Sequence, residues 1–206
     1  SIIMSTYNDE KTIKEAVNSI LNQDYSEIEL LVMDDSSTDR TLEILERFTD
    51  DRLKIFKNPT NIGLTKSLNK LIKQSDGDYI ARQDADDISL KSRIRLQINF
   101  MLKNNLSGAT TRAYKKDMAG VIPRFSYLFP YKYITKFKNP FIHGTLMIKK
   151  DLLLKVGCYN ENFYFAQDLK LILDLISIQA KIKILNTPLY ILNTKNNLST
   201  KFVEEQ

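Results

Sequence analysis

The sequence predicts an α/β fold in which a mostly parallel, Rossmann-like sheet is flanked by helices. Short apolar runs alternate four times with stretches whose apolar residues recur at helical spacing, and the connections between them are short. The runs are apolar nearly throughout, as expected of strands covered on both faces. With 206 residues, of which 43% are hydrophobic and 27% charged, the chain suits a single domain with a substantial core.

The first half, residues 1–104, carries this alternation. The predicted strands are Ile2–Met4, Ile28–Met33, Leu53–Phe56 and Tyr79–Ala81. The predicted helices are centred on Ile13–Leu21, Leu42–Phe48, Leu64–Ile72 and Ile94–Leu102. We expect Asn8 or Asp9 to cap the first helix, and Ser36 with Asp39 to form a capping-box-like start of the second.

The second half, residues 105–206, is less regular, and three prolines interrupt residues 107–142. We expect a strand over Thr145–Ile148, helices over Asp151–Val156 and Gln167–Ile178, and a last strand over Ile182–Leu185. The stretch Asn104–Ala109 lacks the apolar strand that should follow the fourth helix. We therefore expect that strand to be missing or much shortened, and residues omitted from the numbering would be one explanation.

Composition narrows the class of protein. The single cysteine, Cys158, excludes an internal disulfide and fits a reducing cytoplasm, and a single histidine makes a zinc site improbable. No apolar run approaches the ~20 residues that cross a bilayer. No signal peptide is evident, although the chain opens at Ser1 without an initiator methionine, so an upstream piece can be missing.

The net charge of +5 is unevenly distributed. Between Arg112 and Lys155 there are ten basic and two acidic residues, interleaved with aromatic ones. A solvated basic face explains this pattern, and so do an anionic membrane surface, a phosphorylated acceptor or nucleic acid. Because no nucleic-acid-binding motif is present, we expect no nucleic-acid partner.

Polar clusters follow three of the predicted strands, namely Ser5–Asn8, Asp34–Asp39 and Asp84–Asp87. Carboxylates as close as those of the third cluster repel one another unless a cation lies among them. Magnesium or manganese with a phosphorylated ligand suits such oxygen ligands, and open α/β sheets bind ligands at this edge. The alternative is a polar turn in which Ser89 caps the next helix.

Four ordered segments resemble the family 2 inverting glycosyltransferases of GT-A fold. They are SIIMSTYN, MDDSSTDRT, GDYIARQDADD, and NPFIHGTLMIKKDLLLKVGCYNENF followed by FAQDLKLIL. The match covers nearly the whole chain, with two departures: Lys91 stands where the family often has proline, and Cys158 where glycine is common. The resemblance implies one GT-A domain over residues 1–206, with a nucleotide-sugar-binding half (1–104) and an acceptor-binding half (105–206).

The resemblance also implies roles for individual residues. Ser5 and Tyr7 should flank the nucleoside, and Asp35 should hydrogen-bond the base. Asp84 and Asp86 would form the D-x-D motif that binds the nucleotide and Mn²⁺ or Mg²⁺, with Asp86 the more direct metal ligand. Asp168 falls where the family keeps its general base, and His143 is a candidate acceptor-side contact. Simple packing for Tyr7, helix capping for Asp39 and Asp168, and a structural histidine remain alternatives.

The expected reaction moves a sugar from a nucleotide-diphosphate sugar, with UDP as the expected nucleotide, to an acceptor hydroxyl with inversion. The resemblance favours bacterial surface polysaccharide or glycolipid synthesis, with a saccharide or lipid-linked saccharide acceptor at the inner face of the plasma membrane. A nucleotidyltransferase would carry a glycine-rich basic loop where Ser5–Asn8 stands. A receiver domain would need an aspartate after the third strand. A catalytically inactive sugar-nucleotide-binding module remains open.

Overall fold

The computed structural model describes residues 1–116, 118–128, 139–163 and 166–193. The strands within these residues are β1 (Ile2–Thr6), β2 (Leu30–Asp34), β3 (Leu53–Lys57), β4 (Tyr79–Arg82), β5 (Ile88–Ser89), β6 (Gly108–Lys115), β7 (Met118–Ile122), β8 (Met147–Lys149) and β9 (Ile182–Leu192). The helices are α1 (Ile13–Leu21), α2 (Thr41–Glu46), α3 (Leu64–Gln74), α4 (Arg93–Lys103), α5 (Lys150–Lys155) and α6 (Gln167–Ser177).

The strands form one sheet in the order β3-β2-β1-β4-β8-β6-β9-β5, with β7 beside β6. The first four strands are parallel and are joined by helices, which confirms the alternation predicted for residues 1–104. The sheet then changes direction, because β8 pairs antiparallel with both β4 and β6. The parallel half therefore presents the carboxyl ends of β1, β2 and β4 along one edge.

The core lies on both faces of this sheet. Alternate residues of β1 separate into two buried clusters, with Ile3 facing α3 and α6, and Ile2 and Met4 facing α1 and α4. All five residues of β2 are buried for the same reason. Coverage of both faces explains why these strands are apolar throughout rather than alternating.

The expectation of a missing strand after the fourth helix was wrong. β6 runs over eight residues, and it pairs with β8 and with β9. Its residues are small or polar, yet Ala109 and Thr110 are fully buried. The side chain of Gln97 also hydrogen-bonds the β6 backbone, because its Nε2 donates to the Ala109 carbonyl at 2.7 Å. With β6 in place, no residues need be missing to complete the sheet.

The expected cap of α1 and the capping box of Ser36 with Asp39 were wrong, although Asp39 Oδ1 accepts the N–H of Thr41, the first residue of α2, at 2.9 Å. Thr12 precedes α1 without a side-chain capping bond, and Arg40 does the same at α2. Asn8 instead turns outward, where its Oδ1 accepts the N–H of Thr38 at 2.8 Å. Asp9 donates its backbone N–H to Thr41 Oγ1 at 2.8 Å. These polar groups therefore tie the loop after β1 to the loop after β2.

Candidate functional site

The three polar clusters meet at the carboxyl edge of the parallel strands. Thr6 at the end of β1 pairs with Asp34 at the end of β2. Ile3 of β1 pairs with Arg82, the last residue of β4. Because parallel strands end at the same edge, the aspartates that follow β4 lie beside the loops that follow β1 and β2.

Asp84 is tied to a buried arginine. Arg82 Nε donates to Asp84 Oδ1 at 2.8 Å, and the Arg82 side chain is only 8% exposed. Burial is the strongest single influence and disfavours the charged guanidinium, but Asp84, Tyr159 and Tyr190 together more than offset it and raise the pKa of Arg82. The guanidinium therefore stays charged. No donor to Asp84 Oδ2 is found among the residues the structure describes.

Two further carboxylates crowd this edge. Burial, together with the charges of Asp84 and Asp9, raises the pKa of Asp86 to about 6. Burial and the neighbouring Asp84 and Asp86 raise the pKa of Asp87 well above its ordinary value, although Asp87 accepts the backbone N–H of Asn193 at 2.7 Å. Three carboxyl groups therefore lie within four residues at this edge, an arrangement that a bound cation would stabilise in its charged form.

Sequence reasoning missed two fully buried residues beneath these carboxylates, Arg93 and Tyr190. Arg93 Nη2 donates to the Arg82 carbonyl at 2.7 Å. Arg93 Nη1 donates to Ser89 Oγ at 2.8 Å, so Ser89 supports this arginine and does not cap α4. Sequence position alone suggests that Arg93, on the first turn of a helix, is a solvated charge. Tyr190 lies on β9, where nothing in the local sequence points to a site.

The short 3-10 helix His143–Thr145 packs directly on Asp84. A Cβ added at Gly144 would lie 2.7 Å from Asp84 Oδ2 and 2.7 Å from the Tyr190 hydroxyl oxygen. Only a glycine allows the backbone of this segment to come so close. The antiparallel pairing of β8 with β4 brings it there, because β8 begins two residues after the 3-10 helix ends.

His143 belongs to a buried polar group beside Asp84. Its Nε2 lies 2.9 Å from the Tyr159 hydroxyl oxygen. Burial raises the pKa of Tyr159 to about 12, against the positive charge of Arg82. Burial, helped by the charge of Arg82, holds the pKa of His143 well below its ordinary value, so the ring is neutral at pH 7. Among the described residues, no hydrogen-bond partner is found for the buried Arg82 Nη1 and His143 Nδ1.

Asp168 lies on the same side of the site as this group. It is the second residue of α6, and the helix has no side-chain capping bond, which leaves the capping alternative unsupported. Its Oδ2 accepts a hydrogen bond from Asn139 Nδ2 at 3.0 Å. Its charge contributes to the raised pKa of Tyr159, whose hydroxyl contacts His143. The role of Asp168 as a general base stays a prediction.

The predicted nucleoside contacts divide into exposed and buried residues. Tyr7 is 47% exposed, and Ser5 is partly exposed at the end of β1. Asp35 is only 2% exposed, and its carboxylate accepts the backbone N–H groups of Ile62 and Gly63 at 3.0 and 2.8 Å. It thereby fixes the loop that precedes α3. The roles of Ser5, Tyr7 and Asp35 toward a nucleoside stay predictions.

The residues at this edge fit a divalent cation only with help from a ligand. Within the described ranges, no group of three His, Cys, Asp or Glu side chains converges closely enough to hold a metal. Mg²⁺, however, is usually held by one or two carboxylates together with substrate phosphates. Asp84, with its unpartnered Oδ2, and the poorly compensated Asp86 supply such a pair.

The basic segment predicted from composition is only partly described. Arg124 lies next to Phe125 and near Leu128, which are 70% and 66% exposed. Lys132, Lys136 and Lys138 lie outside the described residues. In the part of the chain that the structure describes, no helix combines the length and apolarity that a membrane span requires.

Residues 1–168 match the family model "Glycosyl transferase family 2". The chain is 40% identical over 154 residues to EpsE of Bacillus subtilis (strain 168), and the matched region covers 72% of this chain and 55% of EpsE. It is 42% identical over 107 residues to the Escherichia coli enzyme "UDP-Glc:alpha-D-GlcNAc-diphosphoundecaprenol beta-1,3-glucosyltransferase WfgD", covering 52% of this chain and 42% of WfgD. The chain thus spans about half the length of these relatives.

Two solved structures share the fold. TarS of S. aureus, residues 1–349 with UDP-GlcNAc, superposes with a TM-score of 0.80 and 26% identity over 95% of this chain and 58% of that one. A mannosyltransferase of Pyrobaculum calidifontis, PcManGT in complex with GDP-Man and Mn²⁺, gives a TM-score of 0.78 at 18% identity over 98% of this chain and 58% of that one. The second likeness concerns the fold alone.

Proposed function

The chain belongs to glycosyl transferase family 2, and from this premise we propose that it transfers a sugar from a UDP-sugar to an acceptor hydroxyl with inversion. The observation that carries the proposal is the position of Asp84 and Asp86 directly after β4, at the carboxyl edge of the parallel strands, with Gly144 packed against Asp84. TarS has been solved with UDP-GlcNAc, and WfgD is named for transfer from UDP-Glc, which supports a hexosyl or N-acetylhexosaminyl donor.

Asp84 and Asp86 would hold Mn²⁺ or Mg²⁺ together with the diphosphate of the donor. When bound, the ion would neutralise the charge that develops on the leaving diphosphate. Arg82 keeps Asp84 oriented through their 2.8 Å ion pair. Arg82 Nη1 and His143 Nδ1, which have no partner among the described residues, would bind ligand oxygens, because buried polar atoms are normally hydrogen-bonded.

Asp168 would act as the general base. The acceptor oxygen forms a bond to the anomeric carbon while the bond from that carbon to the diphosphate oxygen breaks. The acceptor proton passes to the Asp168 carboxylate as this happens. Because the acceptor attacks from the face opposite the leaving group, a single displacement inverts the anomeric carbon. Asn139 orients the carboxylate through the 3.0 Å bond to Oδ2. His143 would lie on the acceptor side.

The proposed acceptor is a saccharide or lipid-linked saccharide. The name of WfgD specifies a diphosphoundecaprenol-linked acceptor, which supports a lipid-linked substrate for this chain. The exposed Phe125 and Leu128 beside Arg124 suit peripheral contact with an anionic bilayer. We therefore place the protein at the cytoplasmic face of the plasma membrane, in surface polysaccharide or glycolipid synthesis.

A donor screen tests the proposal. The full-length protein is incubated with Mn²⁺ and a panel of UDP-, GDP- and dTDP-sugars, and release of free nucleotide is measured. We expect release from a UDP-hexose or UDP-N-acetylhexosamine, and loss of release on adding EDTA. Binding without release from any donor, with candidate acceptors present, would favour an inactive sugar-nucleotide-binding module. Release of pyrophosphate from a nucleoside triphosphate would favour a nucleotidyltransferase.

A further inference from the structure

The hydroxyl of Tyr190 connects the last described strand to the D-x-D loop. Tyr190 is fully buried on β9, and it lies 106 residues from Asp84 in sequence. Its oxygen accepts the backbone N–H of Asp84 at 3.1 Å. The phenol therefore holds the backbone of the loop two residues before Asp86.

The strand that carries Tyr190 holds this loop by its backbone as well. Ser89 pairs with Tyr190 in the short ladder between β5 and β9. The Leu90 N–H donates to the Leu189 carbonyl at 2.9 Å. The Asn193 N–H donates to Asp87 Oδ1 at 2.7 Å. The partners that this strand contributes lie beyond residue 168, where the family match ends.

Arg93 packs against the face of the Tyr190 ring and fixes its position. Its guanidinium carbon lies 5.1 Å from the centre of the Tyr190 ring, and Nη2 holds the carbonyl of Arg82. A cation over an aromatic face is attracted by the ring, and more strongly when both are buried. Since both side chains have no exposed surface, the hydroxyl cannot swing away from the loop.

We propose that Tyr190 is a positioning residue that presets Asp84 and Asp86 for the metal and diphosphate. Arg82 Nε fixes the Asp84 carboxylate by donating to Oδ1, and Tyr190 fixes the Asp84 backbone. The Asn193 N–H, close to Tyr190 on the same strand, holds Asp87. Asp86 lies between these two fixed points at the site edge. This proposal rests on the proposed function for the identity of the ligand, but the grip itself can be measured without any ligand.

Tyr190→Phe is the test, because phenylalanine keeps the ring over Arg93 and removes only the hydroxyl. Tyr79→Phe is the matched control, since Tyr79 lies at the opposite end of β4. Circular dichroism and thermal unfolding verify folding of both variants. Hydrogen–deuterium exchange then follows the segment 84–90 in the absence of ligand. Calorimetry follows Mn²⁺ binding in the presence of saturating UDP, and UDP binding without metal.

We expect faster exchange in segment 84–90 of Tyr190→Phe, and a roughly tenfold loss of Mn²⁺ affinity, about 1.4 kcal/mol. UDP binding without metal and all properties of Tyr79→Phe should match the wild type. Unchanged exchange, or altered exchange with unchanged Mn²⁺ affinity, would overturn the positioning role. If the wild type fails to bind Mn²⁺ with UDP, the proposed function fails, and the exchange experiment still decides whether the grip exists.

Discussion

Gly144→Ala should disrupt the D-x-D site through a single added methyl group. The new Cβ would lie 2.7 Å from both Asp84 Oδ2 and the Tyr190 oxygen, whereas ordinary contacts begin at 3.4 Å. Each contact must therefore lengthen by about 0.7 Å. Tyr190 is fully buried, while the Asp84 side chain is 29% exposed. We therefore expect the carboxylate to move away from its place, while the contact with the buried Tyr190 lowers stability.

The size of the effect follows from this displacement. Catalytic and binding groups need to be held within ~0.5 Å of their productive geometry, so a 0.7 Å shift exceeds the tolerance. Disturbing the orientation of a metal ligand typically costs about 10–100-fold in metal affinity. Overpacking should also lower stability by about 1–3 kcal/mol. We expect Gly144→Ala to bind UDP with Mn²⁺ about 10–100-fold more weakly.

Calorimetric titration with UDP and Mn²⁺, together with thermal unfolding, measures both quantities. Gly108→Ala is the control, because its Cβ would lie 3.1 Å from the Met147 carbonyl, a tight contact in the sheet that leaves Asp84 untouched. That variant should lose stability and keep its affinity. A folded Gly144→Ala that binds UDP and Mn²⁺ as tightly as the wild type would refute the reasoning.

Three further predictions concern the metal, the base and the membrane. Asp86→Ala should weaken UDP binding at least tenfold in the presence of Mn²⁺ but not in the presence of EDTA, because a direct metal ligand is lost. If calorimetry gives the variant and the wild type equal affinities for UDP with Mn²⁺, Asp86 does not belong to the metal site. Asp168→Asn should bind UDP-sugar normally while the rate of transfer falls about 10²–10⁴-fold, because an amide cannot accept the proton. Transfer is measured by nucleotide release, and a rate near that of the wild type would leave the base unassigned. The full-length protein should sediment with anionic vesicles at low salt. It should detach as salt is added, because the Debye length shrinks from ~10 Å at 0.1 M to ~3 Å at 1 M. Equal sedimentation with neutral vesicles would contradict an electrostatic attachment.

The sequence by itself determined the parallel half of the fold. Apolar runs such as Ile28–Met33 and helical repeats such as Ile13–Leu21 are local signals, and each reports directly on burial. The carboxylates that follow β4 were also visible, because their mutual repulsion needs no knowledge of distant residues. The roles of Asp84, Asp86 and Asp168 came from resemblance to a known family and stay predictions.

The strand β6 and the support of the site were decided only by tertiary structure. Gly108–Lys115 is small and polar, so nothing in its own sequence demands a strand; pairing with β8 and β9 supplies its hydrogen bonds. Arg93 and Tyr190 are 97 residues apart, and neither carries a local pattern that indicates a site. Their role arises from a cation held over a ring and a hydroxyl held against the Asp84 N–H. Such contacts depend on which strands and helices the fold brings side by side. Sequence periodicity contains no information about which distant residues become neighbours.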